Sequence, residues 1–304
     1  MDAIERDFYE ERRRRWRRSA FWRGFVVAAL IAIVISAFSI RDAIRAGSAH
    51  VARVEISGII TEDVEKETLL RSLAERSSVR AVILRINSPG GTTTGSEALY
   101  NAVRQIAAEK PVVAVLGEIA ASGGYIAALS ADHIVAHGNT LTGSIGVIME
   151  YPDLTDVLDR FGIGVETMRS SELKGEPSPW RPSTAEGRAM QAALVEESYA
   201  WFRDLVGARR GLAGEALGAV ANGGVFTGRL ALENGLVDAI GGEGAAMAWL
   251  ESREAGLGAL PVRGWEIERD EPLLGRLIGA SLPAGGFIGE LSRLTVPKLY
   301  SLAR

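Results

Sequence analysis

The sequence has no cysteine. That excludes disulfides, thiolate metal sites and a cysteine nucleophile, and it leaves the compartment open. Histidine is scarce, with only His50, His133 and His137. Of the 34 basic residues only Lys66, Lys110, Lys174 and Lys298 are lysines. Any reaction that needs an imidazole or amine base therefore has a short list of candidates. No G-x-x-x-x-G-K-S/T segment is present, so there is no phosphate-cradling loop of an ATP motor, and there is no H-E-x-x-H. The net charge is −4, and the basic residues gather at one end rather than along a stripe. This argues against a nucleic-acid partner.

What is present is apolar surface. Apolar residues make up 47% and charged residues 24% of 304 residues. Such a chain can bury a sizeable core in one large domain or two ordinary ones, and it is neither disordered nor collagen-like.

The first 23 residues form a basic tail, with Arg12 to Arg15, Arg17, Arg18 and Arg23. Residues 24–40 carry no charge. As a helix they span about 26 Å, the short end for a bilayer core. Arg23 and Arg41 can snorkel to the headgroups, and Trp16 and Trp22 suit the interface on the arginine side. The positive-inside rule predicts a single-pass anchor with its N-terminus in the cytoplasm and the rest of the chain outside it. A cleaved signal is the competing reading. Ala46 to Ala49 offers small residues, but Arg41, Asp42 and Arg45 interrupt the approach to it.

Residues 41–50 read as a linker. From Val51 to about residue 250 strand-like and helical runs alternate. Val51–Ile60 reads as a strand, Thr61–Arg76 as a helix, Ala81–Ile86 as a buried strand and Gly95–Glu109 as a helix. Val112–Leu116 is another buried strand, a helix follows Ser122-Gly-Gly, and His133–Ala136 is a strand. Alternation of this kind predicts an α/β fold with a largely parallel sheet. Further on, the pattern predicts a helix over Asp153–Phe161, a strand over Gly164–Arg169, a proline-rich loop and a long helix over Thr184–Arg210. Residues 251–304 form a C-terminal extension of open role. Its Leu273, Leu274, Leu277, Ile278, Leu282, Phe287 and Ile288 suit amphipathic segments or ordinary core packing.

Ala120–Leu129 (ASGGYIAA at its centre) is the most informative stretch. Ser122 falls between a buried strand and a helix, with Gly123 and Gly124 next. A hydroxyl there sits at a helix N-terminus, where backbone N–H groups favour negative charge. Two readings stand. Ser122 is a nucleophile with the Gly123 N–H as one oxyanion donor, or it is an N-cap serine. Asn87-Ser-Pro-Gly-Gly also follows a buried strand and reads as a turn. On a neighbouring parallel strand it would bring the N–H of Gly90 or Gly91 beside Ser122 as a second donor.

A serine nucleophile needs a base. His50 lies in the linker. His133 and His137 share a strand face about 13 Å apart, too far for one metal, and read as structural. Lys66 and Lys298 look solvated, and Lys110 sits at a common surface position before Pro111. Lys174 lies in a loop stiffened by Pro177, Pro179 and Pro182. As a base it needs its pKa lowered by desolvation, to which Leu173 and Trp180 could contribute; as a plain loop lysine it needs nothing. Ser144, in Thr142–Val147, could orient a neutral amine or serve turn chemistry alone.

Taken together, NSPGG (87–91), ASGGYIAA (121–128), TGSIGV (142–147), ELKGEPSPWRP (172–182) and VFTGRLALENGLVD (225–238) resemble the signal peptide peptidase A family of membrane-bound serine–lysine peptidases. The resemblance covers roughly residues 51–250 in family order. It implies a Clp protease/crotonase-like core of repeated β-β-α units behind one transmembrane helix. It also implies Ser122 as nucleophile, Lys174 as general base and Ser144 as the residue that positions the lysine. Gly123 and the Gly90–Gly91 turn become the oxyanion hole. No cofactor and no metal are called for. Ring-like homo-oligomers are implied, with serine and lysine of one site on adjacent protomers. The implied setting is the bacterial inner membrane, contacted through residues 24–40. The implied substrates are released signal peptides and other unfolded hydrophobic peptides, cut without ATP, with small or apolar P1 side chains.

Two alternatives keep the fold. A crotonase-type acyl-CoA enzyme would use the glycine-rich oxyanion loops without needing Ser122 or Lys174. A catalytically inactive membrane scaffold would need neither.

Overall fold

The computed structural model describes residues 47–266 and the backbone of 300–302. The predicted anchor over 24–40, most of the linker and the apolar run of 273–288 lie outside them. No helix among the described residues is long and apolar enough to cross a membrane. The chain divides into a unit of Met1–Ala49 and a unit of His50–Arg304, and the elements below belong to the second.

The elements follow in order as β1 (His50–Ile60), α1 (Val64–Glu75), β2 (Val79–Thr92), α2 (Thr93–Ala107), β3 (Val112–Ala121) and α3 (Gly123–Leu129). Next come β4 (His133–Ala136), β5 (Leu141–Gly143), α4 (Thr155–Arg160), α5 (Ala185–Arg210) and α6 (Gly214–Val220). The order ends with β6 (Val225–Thr227), α7 (Gly228–Glu233), β7 (Ala239–Ile240), α8 (Glu243–Arg253), β8 (Val262–Trp265) and β9 (Tyr300–Leu302). They build one mixed, mainly parallel sheet in the order β6-β5-β3-β2-β1-β8, with β4 on β3, β7 on β4 and β9 on β2.

Side chains of a strand alternate between faces, and here both faces are buried. Val82, Leu84 and Ile86 of β2, with Val112, Ala114 and Leu116 of β3, enter one core beneath α1, α2, α3 and α5. Their neighbours Ala81, Ile83, Val113 and Val115 enter a second core with Ala246 and Leu250 of α8. Continuous β-branched runs are what a sheet covered on both sides requires. Helix α2 buries Leu99, Ala102, Val103 and Ile106, one face at helical spacing. Its N-terminus is capped by Thr92, whose hydroxyl accepts from the Gly95 N–H at 3.1 Å.

Several expectations are corrected. Asn87–Gly91 is extended strand rather than turn, because Ile59 and Ile60 of β1 pair with Gly90 and Gly91. No strand forms over 164–169, where the backbone has no regular element. Strand β8 pairs parallel with β1, so the sheet continues beyond residue 250. Lys110 is not a plain surface lysine. Its Nζ donates to the carbonyls of Leu73 and Arg76 at 2.7 and 2.6 Å, closing the C-terminal end of α1.

Behind β4 lies a polar anchor. Asp238 accepts the Ile134 N–H at 2.7 Å and both terminal nitrogens of Arg210, at 3.1 and 2.7 Å. His133 stacks on Trp249 with centroids 4.9 Å apart, which fits its structural reading. Burial pushes the Asp238 carboxyl up, but the Arg210 hydrogen bond and charge and the Ile134 N–H outweigh it, leaving it below its ordinary value. A lowered carboxylate pKa adds stability above the unfolded value of about 3.9 and loses it as pH falls through the folded value. Asp238→Asn is therefore expected to lower Tm at neutral pH, by the equivalent of about 1–3 kcal/mol. The gap to wild type should close below about pH 4. Thermal melts of both proteins from pH 3 to 7 check this; a gap that widens in acid would reverse the sign.

Candidate active site

Strands β3 and β5 end together, beside β2. Strand β3 pairs with β5 through Ile119–Leu141, Ala120–Thr142 and Ala121–Gly143. One residue further, Ser122 and Ser144 follow the adjacent strands. The Ser122 N–H donates to the Gly143 carbonyl at 2.8 Å, and the Thr142 hydroxyl donates to the Ala120 carbonyl at 2.6 Å. On the other side β3 pairs with β2 up to Ser88–Ala120. The C-terminal ends of parallel strands are the usual place for a ligand site in layered α/β folds.

Ser122 is the turning point from β3 into α3. Its backbone sits at φ 54 and ψ −118, and its side chain makes no capping hydrogen bond to α3. An L-residue rarely adopts positive φ, and such strain persists only where the surroundings impose it. A capping serine has extended backbone and accepts an N–H of the first turn, as Thr92 and Thr184 do here. Ser122 does neither. Its geometry is that of a serine held on a sharp strand-to-helix turn. Ser144 is the second non-glycine residue at positive φ among the described residues, at 52°. Its N–H donates to the Gly224 carbonyl at 2.7 Å, which fixes this nearly buried residue one position past the β3–β5 pairing, as Ser122 is.

The glycines are required by contact. A Cβ on Gly123 would stand 2.3 Å from Ser96 Oγ, 3.0 Å from Gly91 N and 3.3 Å from Gly90 Cα. The start of α3 thus lies directly against the Gly90–Gly91 backbone. A Cβ on Gly91 would lie within the Ile60 carbonyl, and one on Gly124 would stand 2.6 Å from the Ser88 carbonyl oxygen. The Gly90 N–H donates to Ser88 Oγ at 3.1 Å. That bond occupies the Gly90 N–H, one of the two candidates for a second donor beside Gly123. Gly90 contributes shape instead, at φ 118.

Lys174 is not brought to Ser122 within one chain. It is exposed, and among the described residues its ammonium has no hydrogen-bond or ion-pair partner. The loop that carries it is pinned by Glu176, whose side chain is fully buried. Its carboxylate meets Arg181 at 3.0 Å and Arg169 at 3.6 Å. Sequence reasoning missed Glu176, although a carboxylate between two arginines in a proline-stiffened loop was there to be read. A groove of about 490 Å³ opens from Ser144 past Ile145, Val147, Ile148, Tyr199 and Val225. Its apolar lining suits an aliphatic side chain.

The family model of Peptidase family S49 matches residues 104–257. A putative protease of Synechocystis sp. is 38% identical over 231 residues, covering 75% of this chain and 83% of that one. The chain belongs to peptidase family S49. The Clp protease family model matches residues 48–138, in accord with the mixed α/β sheet. A putative protease of Methanocaldococcus jannaschii is 33% identical over 223 residues, 73% of this chain and 71% of that protein. The chloroplastic serine protease SPPA of Arabidopsis thaliana is 37% identical over 196 residues, 63% of this chain but 28% of that longer one. The S49 assignment makes the protein a peptidase and is consistent with the signal peptide peptidase A family. It sets an acyl-CoA enzyme aside.

Proposed function

We propose that this S49 peptidase is a membrane-anchored serine endopeptidase with a Ser122–Lys174 dyad. The observation that carries the reading is Ser122 itself, strained at φ 54 and not capping the helix it precedes. Neutral Lys174 takes the hydroxyl proton as Ser122 Oγ bonds to a peptide carbonyl carbon. The N–H groups of Gly123 and Gly91 hold the oxyanion. The lysine returns the proton to the leaving amine as the C–N bond breaks. Water, giving a proton to the Lys174 amine, then attacks the ester, and that proton passes to Ser122 Oγ as the acyl–oxygen bond breaks. Ser144 orients the amine.

A lysine acts as base only when desolvated. Lys174, exposed on the single chain, must first be covered. A ring-like homo-oligomer does this by seating Lys174 of one protomer at Ser122 of the next. Phe161, Ile163, Val165, Met168, Leu173 and Trp180 support such packing, as large apolar side chains exposed on the segment that carries Lys174. Residues 24–40 anchor the protein in the bacterial inner membrane, with the N-terminus in the cytoplasm and the catalytic domain outside it. The substrates are released signal peptides and other unfolded hydrophobic peptides. No ATP is used, and the apolar groove beside Ser144 favours small or apolar P1 residues.

The test uses the full chain in detergent with unfolded apolar peptides, without nucleotide. Mass spectrometry should find internal cuts after small or apolar residues. Fluorophosphonate should label Ser122 and stop the cutting. An oligomer that is inert on varied unfolded peptides would favour the inactive scaffold.

A further inference from the structure

Lys174 lies between α4 and α5, where the chain has neither helix nor strand. No ladder fixes its backbone there, so side chains must. On one side Arg169 donates to the Glu172 carbonyl and, at 2.8 Å, to the Glu172 carboxylate. On the other, Arg181 donates to the Gly175 carbonyl at 3.3 Å. Lys174 is therefore flanked by two residues whose carbonyls are each held by a guanidinium. One buried carboxylate joins these guanidiniums, since Glu176 Oε1 meets both Arg181 and Arg169. The same carboxylate rests on α5. A Cβ on Gly187, in the first turn of that helix, would stand 3.0 Å from Glu176 Cγ, Cδ and Oε2. Negative charge is favoured at that end of a helix.

A buried ion pair adds little net stability over apolar packing, and Glu176 Oε2 has no hydrogen-bond partner among the described residues. What the arrangement supplies is fixed geometry. We propose that Glu176 is a positioning residue for the general base: it ties the backbone on both sides of Lys174 to the start of α5, so that the amine meets Ser122 of the next protomer at bonding distance. This rests on the reading of Lys174 as the base. A misplacement of about 1 Å can cost about 10²-fold in rate. The apolar groove beside Ser144 is lined by other elements, so the loss should fall on kcat rather than KM.

The experiment measures peptide hydrolysis, and labelling of Ser122 by a fluorophosphonate, on the assembled full chain in detergent. Glu176→Gln keeps the shape of the side chain and removes the charge that joins the guanidiniums. It should lower kcat about 10²-fold and change KM less than about twofold. In a Lys174→Ala background the same substitution should change the residual labelling rate less than about twofold, because no amine is left to misplace. A second full loss in that background would mean that Glu176 serves the fold or Ser122 directly, and would overturn the proposal. Wild-type kcat in Glu176→Gln would overturn it too. Gly187→Ala decides the matter if Glu176→Gln fails to assemble. It keeps every charge and displaces Glu176 by a few tenths of an ångström. It should lower kcat about threefold, and an unchanged kcat is the contrary result. If Lys174→Ala itself hydrolyses peptides like wild type, the dyad reading fails and the proposal with it. Loss in Lys174→Ala beside full activity in Glu176→Gln removes the proposal alone.

Discussion

Ser122→Ala and Lys174→Ala, each purified as the assembled protein, should lower peptide hydrolysis by about 10⁴-fold or more, with little change in Tm. The hydroxyl is the bond-forming atom and the amine its proton acceptor, so neither loss can be shared among other groups. Mixing the two variants gives a sharper result. Random one-to-one assembly pairs an intact Ser122 with a neighbour's intact Lys174 at about one interface in four, so roughly a quarter of wild-type activity should return. A dyad closed within one chain would leave the mixture as inactive as its parents. The structure motivates the experiment, since Ser122 is buried at the sheet end while Lys174 is exposed on a loop with no partner for its ammonium among the described residues. Activity that survives either substitution would move the chemistry elsewhere.

The parts of this arrangement that sequence could reveal are the local ones. Ala81–Ile86 and Val112–Leu116 read as buried strands, because no polar residue but Arg85 interrupts them, and both are strands of the sheet. His133–Ala136 formed over the expected residues. The small residues around Ser122 marked a close approach, and the contacts of Gly123 and Gly124 explain why. What escaped is set by distant partners. Pro-Gly-Gly reads as a turn until Ile59 and Ile60 hold it straight from some thirty residues upstream. Gly164–Arg169 alternates like a strand but finds no strand to pair with, and an unpaired run has no ladder to stabilise it. Val262–Trp265 joins β1 across more than two hundred residues, which no local pattern records. For the same reason no local pattern showed that Ser88 Oγ accepts the Gly90 N–H.

Gly123→Ala should cost about 10²–10³-fold in kcat, the loss seen when one oxyanion donor is displaced. The new methyl group meets Ser96 Oγ at 2.3 Å and Gly91 N at 3.0 Å. The first contact is with a side chain and can be relieved. Ser96→Ala removes the hydroxyl, giving up only its 2.9 Å bond to the Thr92 carbonyl. The second contact is with backbone that Ile59 and Ile60 hold in register, so it cannot be relieved without parting α3 from β2. The double variant Gly123→Ala/Ser96→Ala separates the two effects. If the donors Gly123 and Gly91 act as a pair, the double variant should regain most of the Tm lost by Gly123→Ala but little of the kcat. Recovery of both together would mean that crowding at Ser96 was the whole defect, and that the spacing of the two N–H groups does not govern the rate.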